Sequence, residues 1–174
     1  PSAKTSFMPE MNACIRKFLF PEINRKFLIR VSLVAIFAYI IFKYLLIPFQ
    51  VKGHSMAPTY SNGEVNFCWT LRYMFWPPEQ YDIVAVRYAG TRVMLLKRVI
   101  ALAGEAVEFN GGRLDINGRE IKEPYVKDKY NWDLVMRTVK PNHVYVVGDN
   151  RNVPMETHDF GQTDVNRIVG APLW

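Results

Sequence analysis

The sequence has few residues of the types that form disulfides or bind metals. It contains 2 cysteines and 3 histidines in 174 residues, and neither an HExxH nor a GxSxG motif occurs. The sequence therefore lacks the signatures of zinc proteases and of α/β-hydrolases. Cys14 precedes and Cys68 follows a long apolar segment, so a bilayer would separate them. We expect no disulfide, no metal site and no cofactor, and we assign His143 and His158 to surface or loop positions.

Positive charge is in excess, but its distribution does not indicate nucleic-acid binding. The formal net charge is +6, and no basic helix or aromatic RNA-reading motif accompanies it. Much of the excess lies before the apolar segment, in Lys4, Arg16, Lys17, Arg25 and Lys26. Basic residues at this position attract anionic lipid and keep the preceding chain in the cytoplasm. We therefore expect a lipid bilayer as a partner and no nucleic acid.

The apolar segment comprises residues 27–49 and is long enough to cross a bilayer, which needs about 20 residues. Arg30 and Lys43 lie near its ends, where long basic side chains reach the headgroups. A buried core helix is the alternative, whereas a cleaved targeting peptide would have a shorter apolar region. We predict a single-pass anchor in the inner or cytoplasmic membrane. Residues 1–26 would be cytoplasmic, and residues 50–174 would form a catalytic domain on the outer, periplasmic or extracytoplasmic side.

The chain after the anchor has the features of antiparallel β-structure. Short β-branched or aromatic segments alternate in polarity and end at Gly, Asn or Pro, at residues 64–71, 81–89, 92–102, 105–121 and 142–150. Asn110-Gly111 and Asn117-Gly118 are typical hairpin turns. The predicted fold is mainly β, a compact antiparallel β domain with an N-terminal transmembrane α-helix. Residues 73–76, Tyr-Met-Phe-Trp, indicate an aromatic patch resting on the bilayer.

The segment VKGHSMAPTY, residues 51–60, places Ser55 in an exposed turn immediately after the anchor. The six residue steps from Phe49 to Ser55 extend at most about 20 Å, so the hydroxyl would stay near the membrane surface. His54 is a poor base for Ser55, because adjacent side chains of an extended chain point in opposite directions. A nucleophilic Ser55 would need another base.

Lys97 interrupts the apolar run MLLKRVIALAGE, residues 94–105. Lys97 and Arg98 point to opposite sides of a strand, so one of them must face the apolar side. If Lys97 does, loss of hydration lowers the pKa of its amine and lets it accept a proton, as a serine nucleophile without histidine requires. The alternative is an edge-strand lysine that prevents aggregation.

The segment YVVGDNRN, residues 145–152, joins a strand to a polar loop. Gly148 permits the turn, while Asp149, Asn150 and Arg151 offer charge-assisted hydrogen bonds. We interpret these three residues as structural supports near the site, in preference to a catalytic aspartate.

The anchor, GHSMAPT, LLKRVIALAGE and VVGDNR, taken in order, resemble the sequence boxes of type I signal peptidases, serine peptidase family S26, over residues 30–161. The resemblance implies a largely β catalytic domain that removes hydrophobic signal peptides from exported preproteins, which would be its partners. It places the nucleophile at Ser55 and the general base at Lys97. By the same resemblance Phe49, Val51, Met56 and Leu96 would line pockets for small side chains.

The sequence departs from the family pattern at two functional positions. Gly53 stands where relatives often have a hydroxyl in the oxyanion hole, so backbone groups near Ser55 would supply this stabilisation. Pro154 replaces a serine that in relatives binds the catalytic lysine, and Thr157 is our candidate substitute. The short outer domain resembles a specialised member, such as a conjugative-plasmid maturation peptidase or an organelle inner-membrane peptidase.

Two other hypotheses about the function remain open at this point. Self-cleaving repressors resemble this fold and dyad, but they carry a DNA-binding helix-turn-helix where this chain has its apolar segment. A catalytically inactive, membrane-tethered scaffold of the same fold is favoured by Pro154 and opposed by the retention of Ser55 and Lys97.

Overall fold

The computed structural model describes residues 23–89 and 93–174, so most of the predicted cytoplasmic segment lies outside the described residues. Helix α1 comprises Arg25–Ile40. Its N-cap residue is Asn24, whose side chain accepts a hydrogen bond from the Phe27 amide at 2.9 Å. A π-helical turn, Ile41–Leu45, continues it. Within the described residues, this Arg25–Leu45 helix is long and apolar enough to cross a membrane.

From the sequence we predicted that the apolar segment is helical to Phe49, and this is wrong. The helix ends at Leu45, and Leu46–Gln50 forms an edge strand, β1, which pairs antiparallel with β2, Val65–Trp69. Pro48 explains the change, since proline disrupts a helix interior but is tolerated in edge strands. The helical part of the predicted anchor is therefore four residues shorter at its C-terminal end.

The rest of the described chain is mainly β, as predicted. The further strands are β3 Ile83–Ala89, β4 Val93–Ala101, β5 Ala106–Asn110, β6 Arg113–Ile116, β7 Arg119–Glu120, β8 Leu134–Thr138, β9 His143–Val147, β10 Gly161–Asp164 and β11 Ile168–Pro172. A short helix α2, Arg72–Phe75, and the 3₁₀ turns Met155–Thr157 and Val165–Arg167 complete the elements. The strands pair antiparallel in two sheets, of order β1-β2-β11-β3-β4-β9-β10 and β7-β6-β5-β8.

Both predicted hairpins are present in the second sheet. Asn117 and Gly118 form a two-residue turn with φ angles of 53° and 74°, as a type I′ turn requires. The other turn consists of Gly111 and Gly112, one residue later than predicted, because Asn110 still pairs with Arg113.

The two faces of β4 contact different clusters of buried side chains. Lys97 is paired with Val84 of β3, and directly opposed residues of antiparallel strands point to the same face. That face carries a valine-rich cluster, Val84, Val86, Val99, Val144 and Val146. The opposite face carries Leu96, which packs against a smaller cluster of Val51, Met56 and Tyr60. A third cluster, around Trp132 and Tyr145, includes residues of β4, β5, β6 and β9.

The aromatic segment after β2 is divided between core and surface. Tyr73 packs against the valine-rich cluster and its hydroxyl donates to Asp82 at 3.1 Å, which corrects our assignment of this residue to the patch. Met74, Phe75 and Trp76 are exposed.

Candidate active site

Ser55 lies in a tight turn between β1 and β2. Hydrogen bonds from the Ala57 amide to the His54 carbonyl and from the Tyr60 amide to the Met56 carbonyl, at 3.1 and 3.0 Å, hold this turn. Buried side chains of Met56 and Tyr60 fix it to the protein, while Ser55 is half-buried. Before it, Gly53 has a φ of +90°, and its amide donates to Asn62 Oδ1 at 2.9 Å.

The Gly148–Arg151 loop, which follows β9, supports the serine turn from the other side. The Asn150 amide donates to the Ser55 carbonyl and the Asn150 Nδ2 donates to the His54 carbonyl, both at 3.0 Å. A single residue thus holds two successive carbonyls of the turn. These bonds fix the backbone of the predicted nucleophile and leave its hydroxyl available.

Asp149 connects this loop to β4 and to the serine turn. Its buried carboxylate accepts two hydrogen bonds from Arg98, at 2.8 and 2.6 Å, and one from the Thr59 hydroxyl. The Arg98 guanidinium lies over the Tyr125 ring, 4.1 Å from its centroid, and donates to the Tyr81 carbonyl. Asp149 thus joins three parts of the site through the hydrogen bonds that its carboxylate accepts.

Arg151 is buried and connects the same loop to the second sheet. Its guanidinium donates to Glu123 Oε1 at 2.7 Å and to the Gly148 carbonyl at 2.8 Å. It also lies over the rings of Trp132 and Phe109, 5.3 and 5.2 Å from their centroids. Buried charges are stable in proteins when they are paired in this way.

Lys97 points into the valine-rich face of its sheet and is 3% exposed. Burial lowers the pKa of its amine from the ordinary value of 10.5, and the charge of Asp159 opposes this shift. Arg98, the next residue, points to the opposite face. The arrangement therefore provides an amine that loses its proton more readily than an exposed lysine.

Ser55 and Lys97 line one cavity of about 330 Å³. Gly53 and Asn150 also contribute to its wall, and His158 and Asp159 complete the side near the lysine. A second cavity, of about 300 Å³, shares Lys97, His158 and Asp159. The fold thus brings together two residues that are 42 positions apart in the sequence.

The four residues predicted to bind substrate side chains lie together, but not in this cavity. Val51 and Met56 are buried in the smaller cluster, and Phe49 and Leu96 pack against it. On β4, the cavity is lined by Leu95 and Lys97. The predicted pocket therefore lies on the face of β4 opposite Lys97.

His158 is a component of the site that the sequence did not reveal. It lies in a loop, as expected, but its half-buried ring packs against Trp132, with centroids 5.1 Å apart, and contacts the Asn150 carbonyl through Nε2. Its position shortly after Arg151 was the available signal. The Thr157 hydroxyl, our candidate substitute for the missing serine, donates to the Pro154 carbonyl at 2.7 Å.

Residues with metal-binding side chains do not form a cluster in the part of the chain that the structure describes. The site offers a hydroxyl, an amine, an imidazole and backbone amides. Such groups carry out nucleophilic and acid–base chemistry.

Comparison with known proteins gives a consistent family assignment. The sequence profile of the family "Signal peptidase, peptidase S26" matches residues 24–173. Signal peptidase IB of Staphylococcus aureus is 28% identical over 163 residues, covering 83% of this chain and 85% of that protein. Signal peptidase I of Bacillus caldolyticus is 29% identical over 136 residues, covering 70% and 74%. A crystal structure of a signal peptidase I from Enterococcus faecalis is 27% identical and covers 54% of this chain and 95% of that one, with a TM-score of 0.45. The chain belongs to the signal peptidase family of serine endopeptidases, peptidase family S26.

Proposed function

We propose that this protein is a membrane-anchored endopeptidase that removes N-terminal signal peptides from exported preproteins, with Ser55 as nucleophile and Lys97 as general base. The observation that carries the proposal is the buried amine of Lys97, which lines the same cavity as Ser55. The relatives support the reaction, since they are named signal peptidases.

The reaction begins with proton transfer from the Ser55 hydroxyl to the neutral Lys97 amine as the oxygen attacks the scissile carbonyl. The Lys97 ammonium then protonates the leaving amine. The Lys97 amine, neutral again, activates a water molecule that hydrolyses the acyl-enzyme. Burial favours the neutral amine and so supports its role as base. Because Gly53 has no hydroxyl, backbone amides near Ser55 would stabilise the oxyanion.

An unpaired strand edge beside the cavity suits an extended peptide. β4 pairs with β9 through Arg98–Ala101 alone, so in the described pairings Met94–Lys97 has no neighbour on that side. Main-chain hydrogen bonds along a free edge bind extended segments without regard to sequence. A preprotein pairing with this edge would place its backbone next to Lys97 and Ser55.

For the topology we propose the arrangement expected from the sequence, with the helix end corrected. The chain before Arg25 would lie in the cytoplasm, the Arg25–Leu45 helix would anchor the chain in the bilayer, and the β domain would act on the outer side. This side is where the cleavage sites of exported preproteins emerge.

Cleavage of a purified preprotein by the full chain in detergent tests the dyad. Ser55→Ala and Lys97→Ala should each abolish product formation while still showing a cooperative thermal unfolding transition. His54→Ala is the matched control, because His54 lines the same cavity beside Ser55 and should be dispensable. Full activity in either dyad variant contradicts the proposal. Failure of the parent to cleave any preprotein would instead favour the inactive scaffold.

A further inference from the structure

One ring nitrogen of His158 is buried without a hydrogen-bond partner among the described residues. Nε2 contacts the Asn150 carbonyl. Since a carbonyl can only accept, Nε2 carries the proton of the neutral ring and Nδ1 presents a lone pair. Nδ1 is the buried atom without a partner. A buried acceptor left unpaired reduces stability and calls for a functional explanation.

Lys97 is the candidate donor for this lone pair. His158 and Lys97 line the same two cavities. The lysine side chain has four methylene carbons and, in its neutral form, two N–H donors and one lone pair, so its amine can turn within the cavity and donate. Pro154, which has no side-chain hydrogen-bonding group, cannot hold it.

We propose that Nδ1 of His158 accepts a hydrogen bond from the Lys97 amine and so directs that amine towards Ser55. His158 is then a positioning residue that acts through Lys97. The inference rests on the proposed function, since it assumes that Lys97 is the base.

Burial, together with nearby positive charges, keeps the His158 ring neutral and able to accept a hydrogen bond. Burial lowers the pKa of His158 below its ordinary value of 6.5, and the charges of Lys97 and Arg151 lower it further. The hydrogen bond to Asn150 and the charge of Asp159 oppose the shift. At neutral pH the ring therefore retains the lone pair that the proposed bond requires.

Two substitutions separate the roles of the two ring nitrogens. In His158→Asn, the amide oxygen stays near the position of Nδ1, but the donor to Asn150 is lost. In His158→Gln, an N–H stays near the position of Nε2, but the acceptor is lost. We expect His158→Gln to lower kcat about 100-fold with little change in KM, as misplacement of a catalytic group does, and His158→Asn to retain most activity.

The pH profile gives a second readout. An acceptor favours the ammonium form of Lys97, so its removal should lower the pKa of that amine. The acid limb of kcat should therefore move to lower pH in His158→Gln and stay in place in His158→Asn. The opposite order of activities, equal activities, or an unmoved limb in His158→Gln would overturn the inference.

A measurement on the unsubstituted ring covers the case in which either variant fails to fold. With ¹⁵N-labelled histidine, the Nδ1 resonance of His158 should move downfield when Lys97 is replaced by Met, because the hydrogen bond is lost. No movement overturns the inference. Activity in Lys97→Ala would contradict the proposed function, whereas an essential Lys97 with the wrong order of His158 variants refutes only the positioning role.

Discussion

A side chain at position 148 would begin 2.3 Å from the carbonyl oxygen of Ser55. Real Cβ atoms do not come so close to a backbone oxygen, so this approach of the two loops requires glycine. The same Cβ would lie 2.7 Å from Cε1 of His158. Gly148 thus permits the contact through which the loop after β9 supports the predicted nucleophile.

Gly148→Ala should therefore displace the Ser55 turn and lower kcat by about 100-fold or more. Gly104→Ala is the control. Position 104 has a positive φ, of +86°, which Gly148 does not share, but no atom lies within 4 Å of its Cβ. That variant should lose about 1–2 kcal/mol of stability through backbone strain and keep its activity. Wild-type cleavage rates in Gly148→Ala would show that the close approach is not needed.

The buried ion pair between Glu123 and Arg151 predicts a large loss of stability when it is broken. Both side chains are almost fully buried, at 0% and 3% exposure. Glu123→Gln would leave a buried guanidinium without its counter-charge, so we expect the free energy of unfolding to fall by about 3 kcal/mol. Glu120→Gln breaks the exposed pair with Arg113 and should cost less than about 1 kcal/mol. Denaturant unfolding of both variants measures the difference, and equal losses would contradict it.

The strands that sequence patterns predicted are those with alternating or continuous apolar residues, such as β3 and β4. β1 was hidden because its residues extend the apolar run of the anchor. β10, with sequence GQTD, and β8, which is exposed along most of its length, have no apolar alternation to detect. Their strand structure comes from pairing with distant neighbours, which local patterns do not report.

The candidate site likewise contains residues that the sequence indicated and residues that it did not. Ser55 and Lys97 were proposed from their local sequence, an exposed turn in one case and an interrupted apolar strand in the other, together with the resemblance to type I signal peptidases. His158 breaks none, since its role depends on packing against Trp132 and on the Asn150 carbonyl. Glu123 and Arg151 are 28 residues apart and gave no pairing signal. Contacts set by tertiary structure were thus the part that the sequence could not supply.

The lowered pKa of Lys97 predicts that this residue destabilises the protein near neutral pH. An unfolded chain binds a proton at this amine up to about its ordinary pKa of 10.5, while the folded protein releases it at lower pH. Stability is therefore reduced at neutral pH and recovers as the pH rises towards that value. Lys97→Met should unfold at higher denaturant concentration than the parent at pH 7, with a smaller difference at pH 10.

Lys140→Met provides the control for this experiment, because Lys140 is exposed. It should change the denaturation midpoint little at either pH. A Lys97→Met variant that is no more stable than the parent at pH 7 would show that burial of the amine carries no such cost.

The exposed residues Met74, Phe75 and Trp76 predict a second contact with the bilayer besides the helix. Aromatic side chains favour the headgroup region, and Phe75 is 68% exposed. An environment-sensitive dye on Phe75→Cys should shift its emission to the blue in vesicles and be quenched by nitroxide lipids. The same dye on Val135→Cys, at a position 79% exposed on β8, should remain in water.

The labelling requires a single reactive cysteine in the full chain. Cys14 is replaced by serine, whereas Cys68 can stay because it is buried and burial raises the pKa of its thiol to about 11, which suppresses the reactive thiolate. Emission typical of water from both labels would contradict the predicted patch. Quenching of the Phe75→Cys label alone would place this surface against lipid, and quenching of both would indicate insertion without selectivity for the aromatic segment.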